Sequence, residues 1–149
     1  MAQISRGQKN RESSFGFLIQ TLGRRLDVTM RERLKEVDID VKIFANLMLL
    51  YEADGVNQRQ LGKKLDFPEY YTSRNVDALV KAGFAERRPD PNSRRSFLIY
   101  LTEKGRKKAA QLPKIIAETN ELHLKRLTLK ERKDVVALLQ KTVGIETTS

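Results

Sequence analysis

The sequence predicts a mainly α-helical fold carrying one small β-hairpin, and three observations carry that prediction. Apolar residues recur at helical spacing over long stretches near both ends of the chain. Between those stretches lie two short helical segments separated by a turn at Asp66–Pro68. Directly after the second segment come two strand-like runs, AERR at 85–88 and SFLIYL at 96–101, around PDPNSRR.

The first helix is expected over 14–36. Phe15, Leu18, Ile19, Leu22 and Leu26 share one face, and Met30 and Leu34 continue the stripe. Ser13 or Ser14 caps its start, and Gly23 weakens its middle. A one-sided apolar face of this length must pack against something. Asp40 caps the next segment, VKIFANLMLLYEA, whose apolar residues (Val41, Phe44, Ala45 and Leu47 to Tyr51) cover nearly every face. This helix belongs at the centre, and ADG at 53–55 ends it.

Asn57 followed by Gln60 fits a capping box, opening a short helix anchored by Leu61 and Leu65. Pro68 is expected at the first position of the following helix, about 69–82, which turns Val76, Leu79 and Val80 inward. Gly83 stops that helix. In the hairpin, Phe97, Ile99 and Leu101 alternate with Leu98 and Tyr100, and the two prolines predict a loop wider than a two-residue turn. Thr102 then caps a long helix that Pro113 kinks or divides. Thr128 and Glu131 form a second capping box, and the last helix, 129–143, is expected to bury Val135, Val136, Leu138, Leu139 and Val143. The end, IETTS, is expected to fray.

Composition narrows the chemistry. The chain has no cysteine and a single histidine, His123. Disulfides, thiolate nucleophiles and zinc fingers are therefore excluded, and no metal or cofactor is expected. No glycine-rich phosphate loop or nucleophile elbow is present, and no catalytic residue is assigned. No apolar run is long enough to span a membrane, and the polar N-terminus has no apolar signal region, so a cytoplasmic protein is expected. The net charge is +10, and +7 of it lies in residues 57–108. A basic third of a chain is either a solvated surface or a face built for a polyanion.

Two short helices joined by a tight turn, then a hairpin, make a winged helix-turn-helix. Such a second helix fits the major groove of DNA, and a hairpin tipped with arginines reaches the adjacent minor groove. Burying Val76, Leu79 and Val80 turns Tyr70, Ser73 and Arg74 outward. Arg74 suits bidentate bonding to guanine, unless it pairs with Asp77 or Asp66. Of Tyr70 and Tyr71, Tyr71 is the one expected to pack inward. Arg94 and Arg95 are the minor-groove candidates, with Arg94 preferred. Asp90 either holds an arginine across the hairpin or forms an Asx-turn. Arg87 and Arg88 flank the wing as phosphate contacts, and the helix start from Asn57 to Arg59 offers free N–H groups for another phosphate.

The run FPEYYTSRNVDALVKAGFAERRPDPNSRRSFLIYLTEKGR, residues 67–106, resembles the core of the MarR family of bacterial regulators. The flanking helices extend the likeness over roughly the whole chain. The resemblance implies an α-rich homodimer with interlocked N- and C-terminal helices. It implies binding to a palindromic operator in double-stranded DNA, commonly as a repressor released by a small aromatic or phenolic effector. That effector would sit where the dimer helices meet the winged domain, and Tyr51, Arg25 and His123 are offered for its lining. By position the family's wing residues fall on Arg94 and Asp90, and its recognition-helix contacts near Tyr70, Ser73 and Arg74. Pro68 departs from the small polar residue usual at the helix start, and the absence of cysteine removes the peroxide-sensing branch.

One structural unit is expected, with residues 37–102 as the DNA-binding domain and residues 1–36 and 103–149 as dimerisation helices. Independently of the resemblance, the terminal apolar stripes exceed what a domain of 37–101 covers alone. The competing readings are an enzyme, a winged-helix module for protein–protein contact, and a nonspecific DNA-binding protein.

Overall fold

The structure, a computed structural model, describes residues 4–146. Eight helices and three strands follow in order: α1 (Arg6–Glu12), α2 (Phe15–Lys35), α3 (Val41–Glu52), β1 (Val56–Asn57), α4 (Gln58–Leu65), α5 (Glu69–Lys81), β2 (Ala85–Asp90), β3 (Ser93–Leu101), α6 (Glu103–Ala109), α7 (Leu112–Leu124) and α8 (Leu129–Thr142). The mainly helical fold with a small hairpin is therefore the observed one.

Two elements are absent from the sequence expectation. Helix α1 has no buried residue and no apolar period; Ser5 caps it by accepting from Gln8 N–H at 3.1 Å. Strand β1 is two residues long and exists only through pairing with β3, Val56 opposite Ile99 and Asn57 opposite Leu98. The sheet is antiparallel in the order β1–β3–β2.

The hairpin corrects the expected loop. Asp90 pairs with Ser93, so the connection is the two-residue turn Pro91–Asn92, and a register shift at Pro89/Asp90 accommodates it. Proline at 91 presets one turn dihedral, and the Asp90 carboxylate accepts Asn92 N–H at 2.9 Å. The local chemistry closes the turn that the prolines were expected to widen.

Local capping chemistry is as anticipated elsewhere. Both capping boxes are complete: Asn57 Oδ1 accepts Gln60 N–H at 2.8 Å, and Thr128 Oγ1 accepts Glu131 N–H at 3.2 Å. Pro68 stands one place earlier than expected, at the N-cap of α5, without a side-chain cap. Helix α5 ends in a Schellman motif, with Gly83 at φ +77° and Phe84 N–H donating to Leu79 O at 2.9 Å. The long helix after Thr102 is divided at Ala110–Gln111, leaving Pro113 in the first turn of α7. At the far end Ile145 N–H still donates to Gln140 O, and residues 147–149 lie outside the described residues.

One apolar core holds these elements. It joins Leu34 of α2, Ile43, Leu47 and Leu50 of α3, Leu61 of α4, Val76 and Leu79 of α5, Ile99 and Leu101 of β3, and Leu112 and Ile115 of α7. Each such side chain contributes about 1.5–3 kcal/mol by leaving water. Helix α6 reaches this core by extreme proximity: a Cβ at Gly105 would lie 1.9 Å from Phe84 O.

Two faces stay outside the core. Phe15 of α2 is 61 % exposed, Leu138 of α8 is 64 % exposed, and Leu18, Ile19, Leu22, Val136 and Val143 are also open to solvent. The expected burial of Val135, Val136, Leu138, Leu139 and Val143 does not occur within one chain, because α8 has no buried residue. No helix among the described residues is long and apolar enough to cross a membrane.

The Gly105→Ala variant is expected to lose about 3 kcal/mol of folding stability, since its methyl would overlap a backbone carbonyl. Urea denaturation followed by circular dichroism measures this, and a loss below roughly 0.5 kcal/mol would show that the corner yields freely.

Candidate nucleic-acid interface

Helix α5 owes its orientation to two packing contacts at its start. Thr72 is fully buried and returns its hydroxyl to Pro68 O at 3.2 Å. Phe67 and Tyr71 meet edge to face at 4.9 Å, which holds the turn between α4 and α5. Tyr71 is thereby the inward tyrosine, and Tyr70 beside it is 66 % exposed. Ser73 is half-buried and Arg74 is exposed on the outer face of the same helix.

Arg74 makes no ion pair among the described residues, because the acid nearest in sequence is already engaged. Asp77 takes Arg87 of β2 at 2.5 Å instead. That pair ties the first wing strand to α5, so Asp77 fixes where the wing stands relative to the helix it flanks.

Between wing and helices runs an open cleft of about 490 Å³, lined by Arg59, Arg87, Arg95, Asn57, Gln58, Glu69, Asp90, Ser93 and Phe97 among others. Three guanidinium groups against two carboxylates make its lining cationic. Strand alternation decides which wing arginine enters it. Ile99 and Leu101 point into the core, so Arg95 and Phe97 share their side of β3, while Arg94 stands with Leu98 and Tyr100 on the other. Arg95 therefore lines the cleft, and Arg94, preferred from the sequence, stands on the other face of the wing.

Two other expected site residues are committed elsewhere. Arg88 donates through Nε and Nη2 to Glu86 Oε1, at 2.8 and 2.5 Å, and its guanidinium stacks 4.1 Å above the Tyr100 ring. It braces the outer face of the wing and is not brought into the cleft. Asp90 holds no arginine, since its carboxylate closes the turn at Asn92. The Asx-turn is the arrangement present.

At the start of α4, the Asn57 side chain is consumed by the cap, and Asn57 N–H itself donates to Gln60 Oε1 at 2.9 Å. The N–H groups of Gln58 and Arg59 have no intrahelical acceptor and lie at the cleft wall. Ser93 and Phe97 are cleft residues that sequence reasoning did not single out as contacts. Only the register of β1 and β3, which is not local information, brings them together. Of the residues offered for an effector pocket, His123 bonds Thr29 Oγ1 at 2.9 Å, and Tyr51 is exposed at the end of α3.

Comparison with known proteins places this geometry. The sequence profile of the MarR family matches residues 44–96, which run from within α3 into β3. The multiple antibiotic resistance protein MarR of Escherichia coli strain K12 is 30% identical over 125 residues, 84% of this chain and 85% of that protein. A MarR transcriptional regulator from Methanosarcina mazei Go1 superposes with a TM-score of 0.81 at 29% identity, over 87% of this chain and 93% of the other. A cysteine-to-serine mutant of the E. coli MarR, complexed with operator DNA, superposes with a TM-score of 0.82 at 28% identity, over 89% and 96%. Fold, recognition helix, wing and sequence likeness agree, and the chain belongs to the MarR family of winged helix-turn-helix transcriptional regulators.

Proposed function

We propose that the chain is a homodimeric repressor that reads a palindromic DNA operator with two heads and is released by a small-molecule effector. The observation that carries this reading is the outer face of α5, which presents exposed Tyr70, half-buried Ser73 and an Arg74 without an ion pair among the described residues, and whose first residue, Glu69, lines the cationic cleft. Arg74 reads a base, Tyr70 and Ser73 contact bases or phosphates, and Arg95 enters the minor groove with Arg94 beside it at the wing tip. Arg59, with the start of α4, meets a phosphate.

Dimerisation is supported by the open apolar faces of α2 and α8, which a second copy of the chain would cover. In this assignment residues 1–36 and 103–149 build the dimer and residues 37–102 form each head. The operator complex of the E. coli relative supports the DNA reading. A cavity of about 420 Å³ beside α5 supports an effector input. Tyr71, Phe84 and Ile43 give it apolar walls, Arg74 and Lys42 with Asp38 and Asp40 give it charged edges of both signs, and the buried amide nitrogen of Asn75, a lining residue, has no partner among the described residues.

Selection of bound duplexes from a randomised library tests the reading. An enriched inverted repeat is expected, with affinity falling steeply as salt rises. No enrichment above background would sink sequence-specific recognition. On the selected site, Arg74→Ala should cost about 1–3 kcal/mol and relax preference at one base per half-site; a uniform loss over all sequences would make Arg74 a phosphate contact. Arg95→Ala should weaken binding more than Arg88→Ala, and the reverse order would place the stacked face of the wing on DNA. Sedimentation should return twice the 17.2 kDa chain mass; a monomer at micromolar concentration contradicts the paired heads.

A further inference from the structure

We infer that Asp54 and Arg106 form a positioning pair that sets the angle between each reading head and its dimerisation arm, and with it the half-site spacing the protein accepts. The inference rests on the two-headed reading above. Only two stretches of chain join the head to α2, α7 and α8: the turn after α2, and α6. Whatever holds α6 on the head therefore controls how the head is carried.

Asp54 lies in the turn between α3 and β1. Beside it Gly55 N–H donates to Ile99 O at 2.8 Å, the last backbone bond of the β1–β3 pairing on that side. The chain then departs into α3, and the Leu101 N–H would be left without an acceptor. Asp54 Oδ2 fills that place, accepting Leu101 N–H at 3.0 Å. The same oxygen accepts Arg106 Nη2 at 2.6 Å. One carboxylate oxygen thus joins the α3–β1 turn, the root of the wing and the connecting helix.

The surroundings make this contact a matter of position. Asp54's side chain is only 18 % exposed, so its charge is largely withdrawn from water and gains from a cationic partner. Helix α6 is also held near its ends, by Lys104 Nζ donating to Ala82 O at 2.9 Å and by Lys108 Nζ donating to Val37 O. Arg106 sits between them and holds the helix sideways against the head, which opposes rotation about its own axis. Neither Asp54 nor Arg106 lines the cleft beside α5, so the pair acts through placement and not by touching DNA.

The test compares two duplexes: the selected operator, and the same half-sites moved apart by one base pair. For the unmodified dimer the insertion should cost on the order of tenfold in affinity, because one base pair turns a half-site by about 34–36° around the helix axis. Asp54→Asn keeps an oxygen for Leu101 N–H but removes the charge, and Arg106→Gln changes a half-exposed side chain. Each should shrink the insertion penalty by about threefold, the scale of a partly exposed ion pair. The double variant should shrink it no further, and thermal unfolding should stay near that of the unmodified protein. An unchanged penalty in Arg106→Gln overturns the inference, including where Asp54→Asn fails to fold. A shallower salt dependence with unchanged penalty also overturns it, by making Arg106 a phosphate contact. An unmodified protein without any insertion penalty overturns the two-headed reading, and the inference with it.

Discussion

A single apolar core runs through both the winged unit and the long helices that flank it. Leu34 enters that core from the end of α2, and Leu112 and Ile115 enter it from α7. This constraint explains why α6 must approach the α5–β2 corner so closely that only glycine fits at 105. It also explains why the two chain crossings between head and arms carry so many side-chain bonds to backbone carbonyls.

Charge is distributed by commitment more than by number. Several basic residues are anchored to the protein itself: Arg88 by Glu86 and Tyr100, Arg87 by Asp77, Arg106 by Asp54, Arg33 by Glu118 and Arg132 by Glu121. Those contacts hold strand to strand, strand to helix, turn to helix or helix to helix. Arg74 and Arg95 carry no such tie among the described residues; Arg95 shares the cleft with the start of α4, and Arg74 is exposed on α5. A net charge of +10 describes the chain's attraction to a polyanion, but the uncommitted guanidinium groups decide where that attraction is spent.

What the sequence made legible was local chemistry. The capping boxes at Asn57 and Thr128 and the Gly83 stop are set by residues within a few positions of one another, and each is found as expected. Helix α1 was not legible because caps and exposed polar residues hold it, with no apolar period to reveal it. Strand β1 and the cleft residue Phe97 depend on a pairing between positions 56 and 99, some forty residues apart in the chain. The setting of Arg88 was hidden for the same reason: the ring it stacks on, Tyr100, lies on the adjacent strand, whose register no neighbouring residue announces. The choice between Arg94 and Arg95 turned on one step of strand alternation, which a two-residue turn at Pro91–Asn92 set and a wider loop would have blurred.

That turn has a further consequence for how the hairpin meets anything at all. Proline fixes one of its two residues, the Asp90 carboxylate clasps the other, and the Arg88–Tyr100 stack stiffens the strands behind it. Ordering a residue from a free loop costs about 1–2 kcal/mol in backbone entropy. Here that loss is incurred during folding, before any encounter, so a partner of the right width is met by a preorganised prong. The same stiffness rejects a partner of the wrong width, because the tip has no slack with which to adapt.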